Sequence, residues 1–129
     1  CNNEEISILA NTSAFITQNF QDISWAGFYL FKNNELILGP FQGKIACTNI
    51  PLDKGVCGKA ASTRKTVIVE DVHQFAGHIA CDSESNSEIV IPLIKLYGVL
   101  DLDSTSFSRF SKEDQIIFEE ISKILVQHL

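Results

Sequence analysis

Apolar residues recur at helical spacing from Asn3 to about Phe20, where Ile6, Leu9, Ala10, Ala14, Phe15 and Ile16 predict an amphipathic N-terminal helix. The period then shortens to two. The aromatic run "SWAGFYLFK" and the run "ELILGPFQGK" flank an Asn33-Asn34 turn signal, so residues 24–43 read as a β-hairpin. Alternation places Trp25, Gly27 and Tyr29 on one face of its first strand and Ala26, Phe28 and Leu30 on the other. A short strand is expected over Ile45 to Ile50, ending at Pro51, followed by a glycine turn that opens a short helix in "LDKGVCGKAASTRK". "TVIVEDV" predicts a brief strand, and "SEIVIPLIK" with "LYGVLDLDS" a second hairpin. Ser111 and Asp114 have capping-box spacing ahead of a C-terminal helix, with Ile117, Ile121, Ile124 and Leu125 as its apolar face.

Terminal helices around antiparallel hairpins predict an α+β fold, with the N- and C-terminal helices packed on one side of a central antiparallel sheet. At 129 residues the chain is one domain's worth. Its 45% hydrophobic and 20% charged composition is that of an ordinary globular domain with no membrane-spanning run. A net charge of −6, with only ten scattered Lys and Arg, excludes a nucleic-acid footprint. The chain starts at Cys1 and contains no methionine, so its natural N-terminus is expected to lie further upstream.

Three of its four cysteines lie beside small or turn-forming residues: Cys47 in "KIACTNIP", Cys57 in "DKGVCGKAA" and Cys81 in "GHIACDSES". Such settings predict reachable thiols, although free cysteines are also among the most buried residues. A chain with this much apolar content does not need disulfide staples, so a cytoplasmic, reduced resting state is expected, and any disulfide would be transient and catalytic. Cys81 lies in a polar segment of 15 residues, 73–87, long enough to be functional.

Asp101 and Asp103 are two apart on a predicted strand, so both carboxylates leave on one face with Val99, opposite Leu100 and Leu102. By pattern alone that face is a solvated one. If it is covered, adjacent carboxylates need a cation, a metal or protons. No metal site is expected from spacing: nine residues separate Cys47 from Cys57, and His73 and His78 are five apart.

The segments "SWAGFYL", "LILGPFQGKIACTNIPLDKGVCGKA", "VEDVHQFAGHIACDSESNSEIVIPL" and "GVLDLDS", in this order, closely resemble the free methionine-(R)-sulfoxide reductases, which are single GAF domains. The resemblance implies that residues 1–129 form one GAF domain that reduces the R-epimer of free methionine sulfoxide without a cofactor, recycled by thioredoxin. It makes Cys81 the attacking thiol, Cys47 the first resolver and Cys57 an alternate or relay thiol, while Cys1 matches no functional position. It places Glu88, Asp101 and Asp103 around the substrate, where carboxylates facing an ammonium select a free amino acid over a residue in a chain. A protonated member of the three would donate to the sulfoxide oxygen. Trp25 and Tyr29 would pack the methyl and thioether end. The family is commonly dimeric, so a homodimer is possible.

The same carboxylates are expected to raise the pKa of Cys81 and slow its alkylation in the free enzyme. Between "IPLIK" and "LYGVLDLD" the chain is about three residues shorter than the family's hairpin, which leaves the register of Asp101 and Asp103 open. Two rivals compete with the reductase: a non-catalytic GAF module that binds a small ligand, and a redox-sensing protein in which Cys47 and Cys81 simply pair. An acidic pocket would repel a phosphate-bearing ligand.

Overall fold

The computed structural model describes residues 3–79, 81, 84–93 and 97–129. The chain runs α1 (Asn3–Asn19), β1 (Trp25–Lys32), β2 (Glu35–Gln42), β3 (Asn49–Pro51), α2 (Gly55–Thr63), β4 (Val67–Val69), β5 (Ser87–Pro92), β6 (Gly98–Ser104) and α3 (Lys112–Gln127). A single-turn 3-10 helix at Val72–Gln74 follows β4. The six strands form one sheet in the order β3-β2-β1-β6-β5-β4, every neighbouring pair antiparallel.

The period-two pattern of β1 sorts side chains to two separate cores. Ala26 and Phe28 join Leu9 and Ile16 of α1, Leu100 and Leu102 of β6, and Phe118 and Leu125 of α3 on one face. Trp25 and Tyr29 join Val99 and Val90 on the other, beneath Val56, Cys57, Ala60 and Ala61 of α2. The terminal helices therefore share one side, as their amphipathic patterns predict, and the short α2 covers the opposite one.

Three local readings are corrected. The buried line of α3 is Phe118, Ser122 and Leu125, while Ile117 and Ile124 are exposed. Apolar residues surround this helix, and Phe118 sets its rotation by packing on Phe20, with ring centroids 4.9 Å apart. In α1 the buried line is Leu9, Ser13 and Ile16, with Ile6 and Phe15 exposed. Ser13 fits there because its hydroxyl donates to Leu9 O at 2.9 Å and to Pro40 O at 3.3 Å. The strand expected over Ile45 to Ile50 shrinks to Asn49–Pro51, while Ala46 and Cys47 before it pack against the second core. The capping box of α3 forms as expected, Ser111 Oγ accepting from Asp114 N.

The shortened turn between Lys95 and Leu96 lies outside the described residues, but the strands on either side fix the register. Ser87 pairs with Ser104, Glu88 with Asp103 and Val90 with Asp101. Gly98 lets β6 meet β1: a Cβ there would overlap Tyr29 O and lie 2.9 Å from Leu30 Cα, both backbone atoms that cannot yield. Gly98→Ala is expected to destabilise the protein by about 3 kcal/mol, the scale of overpacking at a rigid contact. Urea denaturation measures it, and an unchanged midpoint would contradict this reading of the β1–β6 contact.

Candidate functional site

The alternation that builds the second core also lines up chemistry. On its face of the sheet, Trp25 sits opposite Asp103, Gly27 opposite Asp101 and Glu88 opposite Asp103. Three carboxylates from two adjacent strands thus share one patch beside an aromatic strand. A Cβ at Gly27 would fall 2.7 Å from the Trp25 ring, so glycine clears the space in which the indole lies flat. Trp25 stacks on Phe41 with centroids 5.2 Å apart at 17°, and on Tyr29 at 6.0 Å and 23°.

The two aromatics also hold the segment that carries Cys47. Trp25 Nε1 donates to Lys44 O at 3.0 Å, and Tyr29 Oη donates to Cys47 O at 3.0 Å. Cys47 is joined to Cys81 by a disulfide with its Cα atoms 5.3 Å apart, both residues half-buried. The cross-link ties the β2–β3 connection to the loop before β5, over the carboxylate patch. An exposed ion pair, Lys44 with Glu84, joins the same two segments. The pocket beneath measures about 40 Å³. That is room for a few ordered waters.

Seven residues singled out from sequence line this pocket: Trp25, Tyr29, Cys57, Cys81, Glu88, Asp101 and Asp103. The eighth, Cys47, is bonded to Cys81. Sequence reasoning passed over Ile45, Ile79 and Ser85, which also line it, and gave His78 no role there. Ile45 is 91% exposed, so no burial pattern marks it.

Two expectations change. The aspartate face is not solvated: Asp101 is 5% exposed, Asp103 9% and Glu88 7%. Cys57 is not a reachable thiol, being 4% exposed in the first turn of α2, where its Sγ lies 4.0 Å from Glu88 Oε2. In both cases α2 is the cause, since its small residues Ala60 and Ala61, fully buried in the second core, let it settle on the sheet.

Burial dominates the electrostatics. Loss of solvent pushes the Glu88 carboxyl well above its ordinary range, and Asp101 and Asp103 push it further. Burial also raises Asp101, with hydrogen bonds from Glu88, Cys57 and Asp103 pulling it partly back. The Cys57 thiol is driven up by burial, then by Asp101, Glu88 and Asp103. Tyr29 is raised by burial and then by Asp101, so its hydroxyl remains a donor. The carboxylates that were expected to act on Cys81 thus act on the Cys57 thiol, while Cys81, held in the disulfide, does not titrate in this form. His78 shifts the other way, lowered by burial and then by His73.

This arrangement can hold a cationic group against carboxylates, donate a proton from one of them, and cycle two sulfurs between thiol and disulfide at the pocket mouth. Among the described residues no helix is long and apolar enough to cross a membrane.

Residues 5–129 match the family model for the GAF domain. The chain is 56% identical over 113 residues, 85% of its length and 68% of the relative's, to a free methionine-R-sulfoxide reductase of Escherichia coli strain K12. It is 47% identical over 128 residues, 91% of its length and 71% of the relative's, to that of Saccharomyces cerevisiae. The solved free methionine-R-sulfoxide reductase of Neisseria meningitidis, in complex with its substrate, superposes with a TM-score of 0.93 at 44% identity, covering 96% of this chain and 77% of the other.

Proposed function

Because the chain belongs to the GAF-domain free methionine-R-sulfoxide reductases, we propose that it reduces free L-methionine-(R)-sulfoxide to methionine with Cys81 as nucleophile and Cys47 as resolving thiol. The observation that carries the assignment of roles is that Cys81 lines one pocket with three buried carboxylates, while Cys47 reaches it through its disulfide to Cys81. In the reduced protein the thiolate of Cys81 attacks the sulfoxide sulfur, and the S–O bond breaks. The oxygen, protonated by a carboxyl, passes to the Cys81 sulfur as the transient bond between the two sulfurs breaks, so that methionine leaves as the thioether and Cys81 is left as a sulfenic acid. Cys47 then attacks the Cys81 sulfur, releasing water and forming the disulfide. A dithiol protein such as thioredoxin returns both sulfurs to thiols.

The carboxylates supply recognition and a proton. The substrate ammonium is held against Glu88, Asp101 and Asp103, which a peptide-bound methionine sulfoxide cannot satisfy. A carboxyl kept protonated by burial gives its proton to the departing sulfoxide oxygen. Trp25 and Tyr29 wall the apolar end of the substrate. Cys57 stays a thiol and hydrogen-bonds the carboxylates, which favours Cys47 over Cys57 as first resolver.

The test is an epimer-resolved assay with a dithiol reductant and amino-acid analysis. The expected result is methionine from the free R-epimer, with the S-epimer and the N-acetylated R-epimer at least about 100-fold poorer, the rate equivalent of the roughly 3 kcal/mol that an unsatisfied buried polar group costs. Equal turnover of both epimers, or none of the R-epimer, would overturn the proposal. A GAF module that only binds a ligand would give no methionine.

A further inference from the structure

Sequence spacing offered no metal site, yet the fold assembles ligands from three elements. Cys57 from α2, Glu88 from β5 and Asp101 from β6 place one sulfur and two carboxylate oxygens within 4.8 Å of one another, all three residues buried. Asp101 Oδ1 is buried without a hydrogen-bond partner, although Asp101 also hydrogen-bonds with Glu88, Cys57 and Asp103. A buried carboxylate oxygen left unpaired is poised to accept a cation. All three residues line the pocket already described, which gives an ion its route in.

The donor set selects the kind of ion. Calcium takes six to eight oxygen ligands and magnesium an oxygen octahedron, neither of which a thiol and two carboxylates provide. One thiolate, two carboxylates and an open fourth position match a tetrahedral site for a thiophilic divalent metal. Bonds of about 2.3 Å to sulfur and about 2.0 Å to oxygen imply a sulfur–oxygen edge of roughly 3.5 Å. Cys57 Sγ and Glu88 Oε2, 4.0 Å apart, need to close by only a few tenths of an ångström.

We propose that Cys57, Glu88 and Asp101 form a binding site for a thiophilic divalent cation of the zinc and cadmium kind, whose occupancy blocks the pocket. Binding replaces the Cys57 S–H bond with an S–metal bond and releases that proton, together with any proton carried by Glu88 or Asp101, with no change of oxidation state. The metal neutralises carboxylates that otherwise repel one another across β5 and β6. It also takes the place of any ammonium those carboxylates would hold. The proposal stands on the geometry of the cluster and is independent of the reaction assigned above.

The experiment uses the disulfide form with Cys1→Ser, in which Cys57 is the single thiol among the three cysteines that remain. Cadmium chloride is titrated in, with the ultraviolet thiolate-to-cadmium charge-transfer band and calorimetric stoichiometry as readouts. The expected result is one cadmium per chain with the band present, no band in Cys57→Ala, and at least about tenfold weaker binding in Asp101→Asn. Glu88→Gln is the second carboxamide variant, expected to weaken binding to the same degree, and circular dichroism confirms the fold of each. Absence of the band, its survival in Cys57→Ala, or unchanged affinity in both folded carboxamide variants would overturn the proposal.

Discussion

With Cys81 replaced by serine, methionine formation is expected to stop even in a single turnover, whereas Cys47→Ser should release one equivalent of methionine per chain and then stall. A serine hydroxyl is not ionised near neutral pH and cannot take the sulfoxide oxygen as a sulfenic acid, so no slower version of the same path is left. Loss of Cys47 leaves the attack intact and removes the resolving step, so a sulfenic acid should persist on Cys81. Rapid-quench detection of methionine, with dimedone trapping read by mass spectrometry, separates the two variants. Full multiple turnover by Cys47→Ser with thioredoxin as sole reductant would move the resolving role elsewhere, and turnover by Cys81→Ser would remove Cys81 from the chemistry. Both positions are half-buried in loops, so the substitutions should leave the sheet and its two cores intact.

The second large effect is expected at Glu88. Glu88→Gln keeps the shape of a side chain 7% exposed while removing a carboxylate that faces Asp103 across the strand pair. Burial, and then Asp101 and Asp103, raise the Glu88 pKa in the folded protein, so stability is lost as pH rises above the ordinary glutamate range, a loss that a neutral Gln does not suffer. At neutral pH the variant should melt a few degrees higher, since about 1 kcal/mol shifts the midpoint by roughly 3 °C or more in a domain of this size. Its kcat/KM should fall by about 10- to 100-fold, the worth of a hydrogen bond to a charged group. The loss should appear mainly in KM, because an ammonium held alike in the ground and transition states contributes uniform binding. A drop in melting temperature would mean that the carboxylate supports the fold, and an unchanged KM would detach it from substrate recognition.

Features set by one short stretch of chain were legible in the sequence. The alternation of β1 placed Trp25 and Tyr29 on one face, and the spacing of Ser111 and Asp114 marked the start of α3. The facing of Asp101 and Asp103 was also readable from parity along β6. Their burial was not, because it is caused by α2, a helix distant in sequence whose docking leaves no period in "GVLDLDS". Cys57 misled for the same reason: the glycines beside it do form the turn and its close contacts, but Val56, Ala60 and Ala61 seat the helix, and its thiol, on the sheet. On α3, apolar residues at Ile116, Ile117, Ile121 and Ile124 supported more than one inward face, and the contact with Phe20 selected among them. The metal ligands were hidden more completely, since Cys57, Glu88 and Asp101 share no local spacing.

The sheet's two faces have a practical consequence. α1 and α3 lie across β1 and β6 from the sulfurs and carboxylates, so every residue of their shared core is screened from the pocket by a layer of backbone. Fluorophores or affinity tags placed on the outward side of α3, at Lys112 or Glu120 for instance, would report on the molecule without perturbing its redox cycle. The two faces can also drift separately in sequence, one answering to assembly and solubility and the other to the ligand.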